Sequence, residues 1–312
     1  MRETVGLDEM DVVAAVDAFW AVPKYQNAGA RERACSSVTR WIDVLPRGAY
    51  VRRVPNEVAN GVRLYFEEHG EGDPILCIHG TSSSALMWGK AVEELEKLGR
   101  VIVYDRRGCT RSERPAPYEK TSVSEQTNDA AALLEALSAT PAVVIGRSYG
   151  GEVAIDLALR YPDHVRALVL LEADPRNLSP EVSRWVDDLY ARVRAAAADG
   201  IENVGEALIT GVLGDEAWAS FPDEVKQMFT DNGPATLAEL SGGFLDADLS
   251  ALGTIDQPTL LVAASDSPEP FRRVTDQMAA AIPNSRKVLV GGGHLVNPAD
   301  PSVLSFVREV LG

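Results

Sequence analysis

Residues 142–154 read Ala-Val-Val-Ile-Gly-Arg-Ser-Tyr-Gly-Gly-Glu-Val-Ala, and this stretch says more about the fold than any other. The β-branched run Val143–Ile145 predicts a buried strand, and a helical apolar pattern begins just after Gly151. Between them stands Gly146-Arg-Ser-Tyr-Gly150, the G-x-S-x-G pattern of a nucleophile elbow. A serine on such a tight strand-to-helix turn needs neighbours two residues away that lack a Cβ. The pattern predicts that Ser148 exposes its hydroxyl at the carboxyl edge of a sheet, near the positive end of a helix.

Composition narrows the classes of function. The chain has 312 residues, of which 46% are apolar and 24% charged, as in an ordinary globular protein. Its formal net charge of −16 argues against nucleic acid as a partner, because phosphate binding needs a basic face, and it mildly disfavours a polyanionic substrate. A small, neutral or hydrophobic substrate is therefore expected.

Sequence features also bear on the compartment. No apolar run approaches the roughly 20 residues that span a bilayer, and the first residues are too acidic for a signal peptide. The three cysteines, Cys35, Cys77 and Cys109, are odd in number and widely spaced. They predict no disulfide framework, so a cytoplasmic protein without membrane contact is expected.

Strand and helix patterns alternate around the elbow. Helices are predicted near residues 85–97, after the capping box Ser122-Val-Ser-Glu125, from the elbow to Tyr161, and after Asp300-Pro301. The alternation predicts a mostly parallel sheet covered on both faces. Its other strands are expected at Tyr50–Val54, Val62–Glu67, Ile75–Ile78, Val101–Tyr104, Ala167–Leu171, Pro258–Ala263 and Arg286–Val290.

Three regions follow from this pattern. Residues 1–49 look like two helices, which form an N-terminal extension. Residues 50–174 and 258–312 form the α/β core, and residues 175–257, hereafter the insertion, carry helical signals without a convincing buried strand. The N-terminal helices have three open roles: packing on the core, mediating a homodimer, or extending a lid.

A serine hydroxyl is a weak nucleophile at neutral pH and needs a base within hydrogen-bond reach. Of the four histidines, His69 and His164 stand in polar turns, while His79 directly follows a buried strand and organises its loop. His294 remains, after three glycines and the last strand, and is the predicted base.

A carboxylate should orient that imidazole. Asp266, which follows a buried strand, is the expected acid, with Glu172 at the preceding strand end as the alternative.

The order Ser148, Asp266, His294, together with His79-Gly80 and Asp105-Arg-Arg-Gly108 after earlier strands, resembles the α/β-hydrolase family from about residue 50 to residue 312. The resemblance implies an oxyanion hole built from the backbone N–H groups of Thr81 and Tyr149, and a helical cap at the insertion.

Two departures from the family pattern stand out. Thr110 replaces a glycine that the family commonly has, and the turn before Asp266 is one residue shorter than usual. The shorter turn keeps Glu172 open as the acid.

Three readings of function remain open. The first is a serine hydrolase of the carboxylic-ester type. The second keeps the fold for carbon–carbon bond hydrolysis, acyl transfer, perhydrolysis, or a lyase or cyclase step, and the third is a ligand receptor that retains the triad. Family members that open epoxides or displace halide carry aspartate at the nucleophile position, so Ser148 disfavours both. No zinc spacing, dinucleotide fingerprint or Walker pattern occurs, so neither metal nor cofactor is implied.

Residues near the elbow are candidates for substrate contacts. His79 is one of them. Arg147 has two open roles, binding an anionic group or pairing with a carboxylate, and Trp88 is either a pocket wall or core. Nine apolar residues of the insertion are candidates for a pocket ceiling: Leu189, Val193, Leu208, Val212, Trp218, Phe221, Met228, Phe229 and Phe244.

Overall fold

An eight-stranded sheet forms the centre of the part of the chain that the computed structural model describes, residues 56–173 and 175–312. The strand order is β1-β2-β4-β3-β5-β6-β7-β8; β2 pairs antiparallel with β1 and β4, and all later pairs are parallel. The strands are β1 Asn56–Ala59, β2 Val62–His69, β3 Pro74–Ile78, β4 Arg100–Tyr104, β5 Ala142–Arg147, β6 Val165–Leu171, β7 Thr259–Ala264 and β8 Ser285–Val290.

Helices cover both faces of this sheet. On one face α2, α3 and α10 pack over a core that includes Phe66, Leu76 and Val144, and on the other face α1 and α11 cover Ile75, Val143 and Val262. Both faces of the central strands are thereby buried, which explains their continuous apolar sequences. The helices outside the insertion are α1 Gly89–Leu95, α2 Val123–Ala136, α3 Tyr149–Arg160, α10 Glu269–Ala281 and α11 Pro301–Leu311.

All regular secondary structure in the insertion is helical. It packs on the sheet domain through buried polar contacts as well as apolar ones; Arg106, after β4, forms a fully buried ion pair with Glu239 (Nη1–Oε1 2.7 Å). Its helices are α4 Pro180–Asp199, α5 Asn203–Leu213, α6 Asp215–Ser220, α7 Asp223–Asp231, α8 Gly233–Gly242 and α9 Leu249–Leu252.

The predicted fold class is confirmed, with local differences. The predicted helix at residues 85–97 is a short 3₁₀ turn, Ala85–Trp88, followed by α1. The expected strand Tyr50–Val54 and the N-terminal extension 1–49 lie outside the described residues, and β1, which was not predicted, pairs antiparallel with β2. Within the described ranges, no helix is both long enough and apolar enough to cross a bilayer.

Candidate active site

Ser148 follows β5 and stands in a backbone conformation that L-residues rarely adopt, with φ 52° and ψ −125°. Two glycines permit the turn. A Cβ on Gly146 would lie 2.4 Å from the carbonyl oxygen of Gly150, and a Cβ on Gly150 would lie 2.2 Å from that of Ile78. The Ser148 N–H donates to the Leu171 carbonyl (3.0 Å), which joins the turn to the end of β6. The surrounding structure therefore holds Ser148 in a strained geometry.

The loop after β3 lies directly against this turn. A Cβ on Gly80 would stand 3.2 Å from the Cβ of Ser148. Thr81 and Tyr149 line the same cavity as Ser148. Tyr149 is the first residue of α3, so its N–H is one of those that lack an intrahelical acceptor. Both residues of the expected oxyanion hole thus line the cavity beside the serine.

His294, in the loop after β8, also lines this cavity. Its Nδ1 lies 3.5 Å from Oε2 of Glu172, whose side chain is only 2% exposed. Glu172 directly follows β6 and has a φ of 51°. Its Oε1 accepts from the Ala264 N–H (2.6 Å) and its Oε2 from the Ser267 hydroxyl (2.5 Å). These contacts fix the Glu172 carboxylate beside the imidazole.

Asp266, the expected acid, has different surroundings. Its side chain is exposed and accepts a hydrogen bond from the Ser265 hydroxyl (2.9 Å), while its N–H donates to the Gly292 carbonyl (2.9 Å). The turn after β7 is one residue shorter than the family pattern, and it presents this carboxylate to solvent. In the structure, Glu172 is the acid that faces His294, and the expected pairing with Asp266 is not formed.

Two of the three candidate substrate contacts lie away from the cavity wall. His79 is 1% exposed, contacts the Gly80 carbonyl through Nδ1 (2.9 Å) and accepts the Arg106 N–H at Nε2 (2.9 Å). Burial, reinforced by the positive charge of Arg106, holds the pKa of His79 well below its usual value, so the ring is neutral and structural. Trp88 is also buried and belongs to the core beneath the sheet.

Arg147 is the candidate that does line the cavity. Its guanidinium donates to the Val296 carbonyl (2.9 Å) and stacks 5.1 Å from the ring of Trp88. Burial lowers its pKa to about 10, which still leaves it charged at neutral pH. Since Val296 lies two residues after His294, Arg147 joins the histidine loop to the elbow.

The cavity has a volume of about 290 Å³ and extends from the elbow to the insertion. Of the nine predicted ceiling residues, it is lined by Leu189, Leu208, Val212, Phe229 and Phe244. The others, Val193, Trp218, Phe221 and Met228, pack inside the insertion or against the core beside it. The walls are mostly apolar, as in sites for small organic ligands.

The sequence analysis did not identify several polar residues of the cavity, among them Glu152, Arg176 and Tyr190. Glu152 lies in the first turn of α3, directly after the elbow, and that position in the sequence was the available signal. Among the described residues, no three side chains of the metal-ligating types cluster together.

Comparisons with known proteins agree with this architecture. The model of the alpha/beta hydrolase fold matches residues 73–301. The protein named "Putative carbamate hydrolase RutD" of Azorhizobium caulinodans is 30% identical over 80% of this chain and 94% of its own length. An epoxide hydrolase of Caballeronia sordidicola is 26% identical over 75% of this chain and 66% of its own. A thermophilic esterase of Thermogutta terrifontis superposes with a TM-score of 0.69 and 25% identity, covering 85% of this chain and 100% of that one.

The family match spans well over half of the chain, and the relative from Azorhizobium caulinodans covers most of it. The strand order, the glycine-bordered serine turn and the helical insertion belong to the same architecture. This chain is therefore an enzyme of the α/β-hydrolase family.

Proposed function

We propose that this protein is a serine hydrolase that cleaves carboxylic esters of small, largely apolar substrates. Ser148 is the nucleophile, His294 the general base and acid, and Glu172 the residue that orients His294. The Thr81 and Tyr149 amides hold the oxyanion, and the insertion covers the site as a cap.

One observation carries the proposal. A serine held at an elbow shares a cavity with a histidine whose Nδ1 lies 3.5 Å from a buried carboxylate. Serine, base and acid in this relation are what acyl transfer requires. A buried carboxylate with fixed hydrogen-bond donors suits the orienting role better than an exposed one, because it holds the imidazole in one tautomer.

The reaction follows from these positions. His294 takes the Ser148 proton at Nε2 while Oγ attacks the carbonyl carbon, and Glu172 stabilises the imidazolium through Nδ1–H. Each oxyanion donor lowers the barrier by roughly 3 kcal/mol. Collapse expels the alcohol, which takes its proton from His294, and the histidine then activates water to release the acid from Ser148.

The names of the relatives add carbamates to the substrates that should be tested. Carbamates present a carbonyl to the same nucleophile, so they belong beside esters. Epoxide opening is disfavoured, since family members that carry it out have aspartate where this chain has Ser148.

Ser148→Ala tests the proposal with p-nitrophenyl acetate and butyrate and with a fluorophosphonate probe. Loss of the nucleophile should lower kcat/KM by at least about a thousandfold and abolish labelling. Ser124→Ala, an exposed serine on α2, is the matched control and should behave as wild type. Undiminished labelling of Ser148→Ala would contradict the proposal.

A further inference from the structure

Glu152 brings an acidic side chain into an otherwise largely apolar cavity. It lies in the first turn of α3, which begins directly after Ser148. The side chain lines the cavity and is 5% exposed. A substrate bound at Ser148 would therefore have Glu152 within reach of an atom a few bonds from its reacting carbonyl.

The known contacts of Glu152 use only half of its carboxyl group. Oε2 accepts the Leu245 N–H (2.8 Å), which joins α3 to the chain between α8 and α9. Oε1 receives no hydrogen bond from the described residues. A purely structural anchor needs one acceptor, and burying a second polar oxygen without a partner is costly. The second oxygen is therefore available to a ligand.

Four titratable side chains lie around Glu152. Arg176 lines the same cavity, but its guanidinium is bonded to Ser183 and Asp187 (2.5 Å). Glu239 is paired with Arg106. The phenols of Tyr149 and Tyr190 also face this region, and burial raises the pKa of each well above its ordinary value, so both are neutral.

Burial raises the pKa of Glu152 to about 8, against the weaker lowering effects of the Leu245 N–H and Arg176. The group is therefore mostly protonated at pH 7. Since Oε2 accepts a hydrogen bond, the proton resides on Oε1, which makes Oε1 a donor toward the cavity.

We propose that Glu152 determines specificity by donating a hydrogen bond from Oε1 to a neutral acceptor oxygen of the substrate, a few bonds from the scissile carbonyl. The substrate class is then an ester whose apolar body carries a second oxygen, such as a ketone or a further ester carbonyl. This inference rests on the proposed function, because the substrate is placed by the attack of Ser148 on its ester carbonyl.

Matched esters test the inference. The pairs are p-nitrophenyl pentanoate with its 4-oxopentanoate and p-nitrophenyl hexanoate with its 5-oxohexanoate, in which one carbonyl replaces one methylene. Wild type should prefer at least one oxo ester by roughly 3- to 10-fold in kcat/KM, the range of one hydrogen bond. Equal or lower kcat/KM for both oxo esters would overturn the inference. So would a preference for the anionic p-nitrophenyl hydrogen succinate over both oxo esters.

Variants locate the preference in one side chain. Glu152→Gln retains an acceptor for Leu245 and an N–H donor for the cavity, and should keep the oxo preference. Glu152→Met removes both and should lose it. Glu206→Gln, an exposed glutamate on α5, is the control. An oxo preference that survives in Glu152→Met would overturn the inference.

The pH dependence of the oxo preference tests the role of Glu152 in a second way, which does not require Glu152→Met to fold. Ionisation of Glu152 removes its proton, so the oxo preference of wild type should fall as the pH rises through about 8, whereas that of Glu152→Gln should stay level. Parallel profiles would contradict the role.

If wild type labels with fluorophosphonate and turns over esters without an oxo preference, only this inference fails. If it neither labels nor turns over esters, the proposed function fails.

Discussion

Three residues near the carboxyl edge of the sheet adopt backbone conformations that L-residues avoid, and two of them, Ser148 and Glu172, line the cavity. Ser82, Ser148 and Glu172 have φ values of 58°, 52° and 51°, and each follows the carboxyl end of a different parallel strand. Each such conformation costs of order 1–3 kcal/mol and persists only where its neighbours enforce it. Strain collected at one edge of the sheet is typical of a site whose side chains must converge.

Hydrogen bonds with the insertion explain how Thr110 departs from the family pattern. Thr110 stands where the family commonly has glycine, and it adopts a φ of 41°. The Asn232 carboxamide oxygen accepts its N–H (2.7 Å), and the Asn232 amide donates to its hydroxyl (3.1 Å). The Asn232 side chain of the insertion thus stabilises a positive-φ turn that glycine would adopt more readily than threonine.

Buried hydrogen bonds anchor the insertion to the loops at the carboxyl edge of the sheet. Asn232, between α7 and α8, is fully buried and also donates to the carbonyls of Ser82 (3.3 Å) and Ser83 (3.0 Å). One carboxamide therefore links the insertion to the loops after β3 and β4. The loop after β3 carries Thr81, the expected oxyanion donor.

Asn232→Asp keeps the size of this side chain but replaces its amide donor with an oxygen that faces carbonyls. We expect it to lower the free energy of unfolding by about 3 kcal/mol, because several buried groups lose their partners. Urea denaturation measures the change. Asn203→Ala, an exposed residue at the start of α5, is the control and should change stability by less than about 0.5 kcal/mol. Equal losses in the two variants would contradict the anchoring role.

The sequence predicts the sheet better than it predicts the site. Strands β3 to β7 are buried and carry apolar runs between turn signals, and the bounds of β2 to β8 fall within two residues of those predicted. The choice between Glu172 and Asp266 depends on the three-dimensional course of one short turn, which composition does not encode. Trp88 and His79 were candidates for substrate contacts, with core packing and loop organisation as the alternatives, and packing places both in the interior. Glu152 escaped notice because a single acid in a helix usually faces solvent.

At the scale of the whole molecule, burial of an acid makes stability depend on pH. The pKa of Glu152 is about 8 in the folded protein, above the ordinary 4.5. A raised pKa means that the folded state binds the proton more tightly than the unfolded state. The stabilisation is complete below about pH 4.5 and is lost as the pH rises toward 8.

Glu152→Gln removes this titration. Relative to the variant, wild type should lose up to about 1.4 kcal/mol of unfolding free energy for each pH unit between 5 and 8. Urea denaturation at pH 5, 6.5 and 8 measures both proteins, and repulsion from the net charge of −16 affects them almost equally. Curves that run parallel would show that Glu152 is ionised in the folded protein across this range.

If Ser148, His294 and Glu172 act as one catalytic unit, substitutions at two carboxylates should differ sharply in their effect on activity. The steady-state kcat/KM for p-nitrophenyl butyrate is measured for Glu172→Gln and for Asp266→Asn. The geometry predicts a loss of at least about a hundredfold for Glu172→Gln, because His294 loses its orienting charge, and a change of less than threefold for Asp266→Asn. Near-wild-type activity in Glu172→Gln, with a large loss in Asp266→Asn, would show that Glu172 is not the acid of the triad.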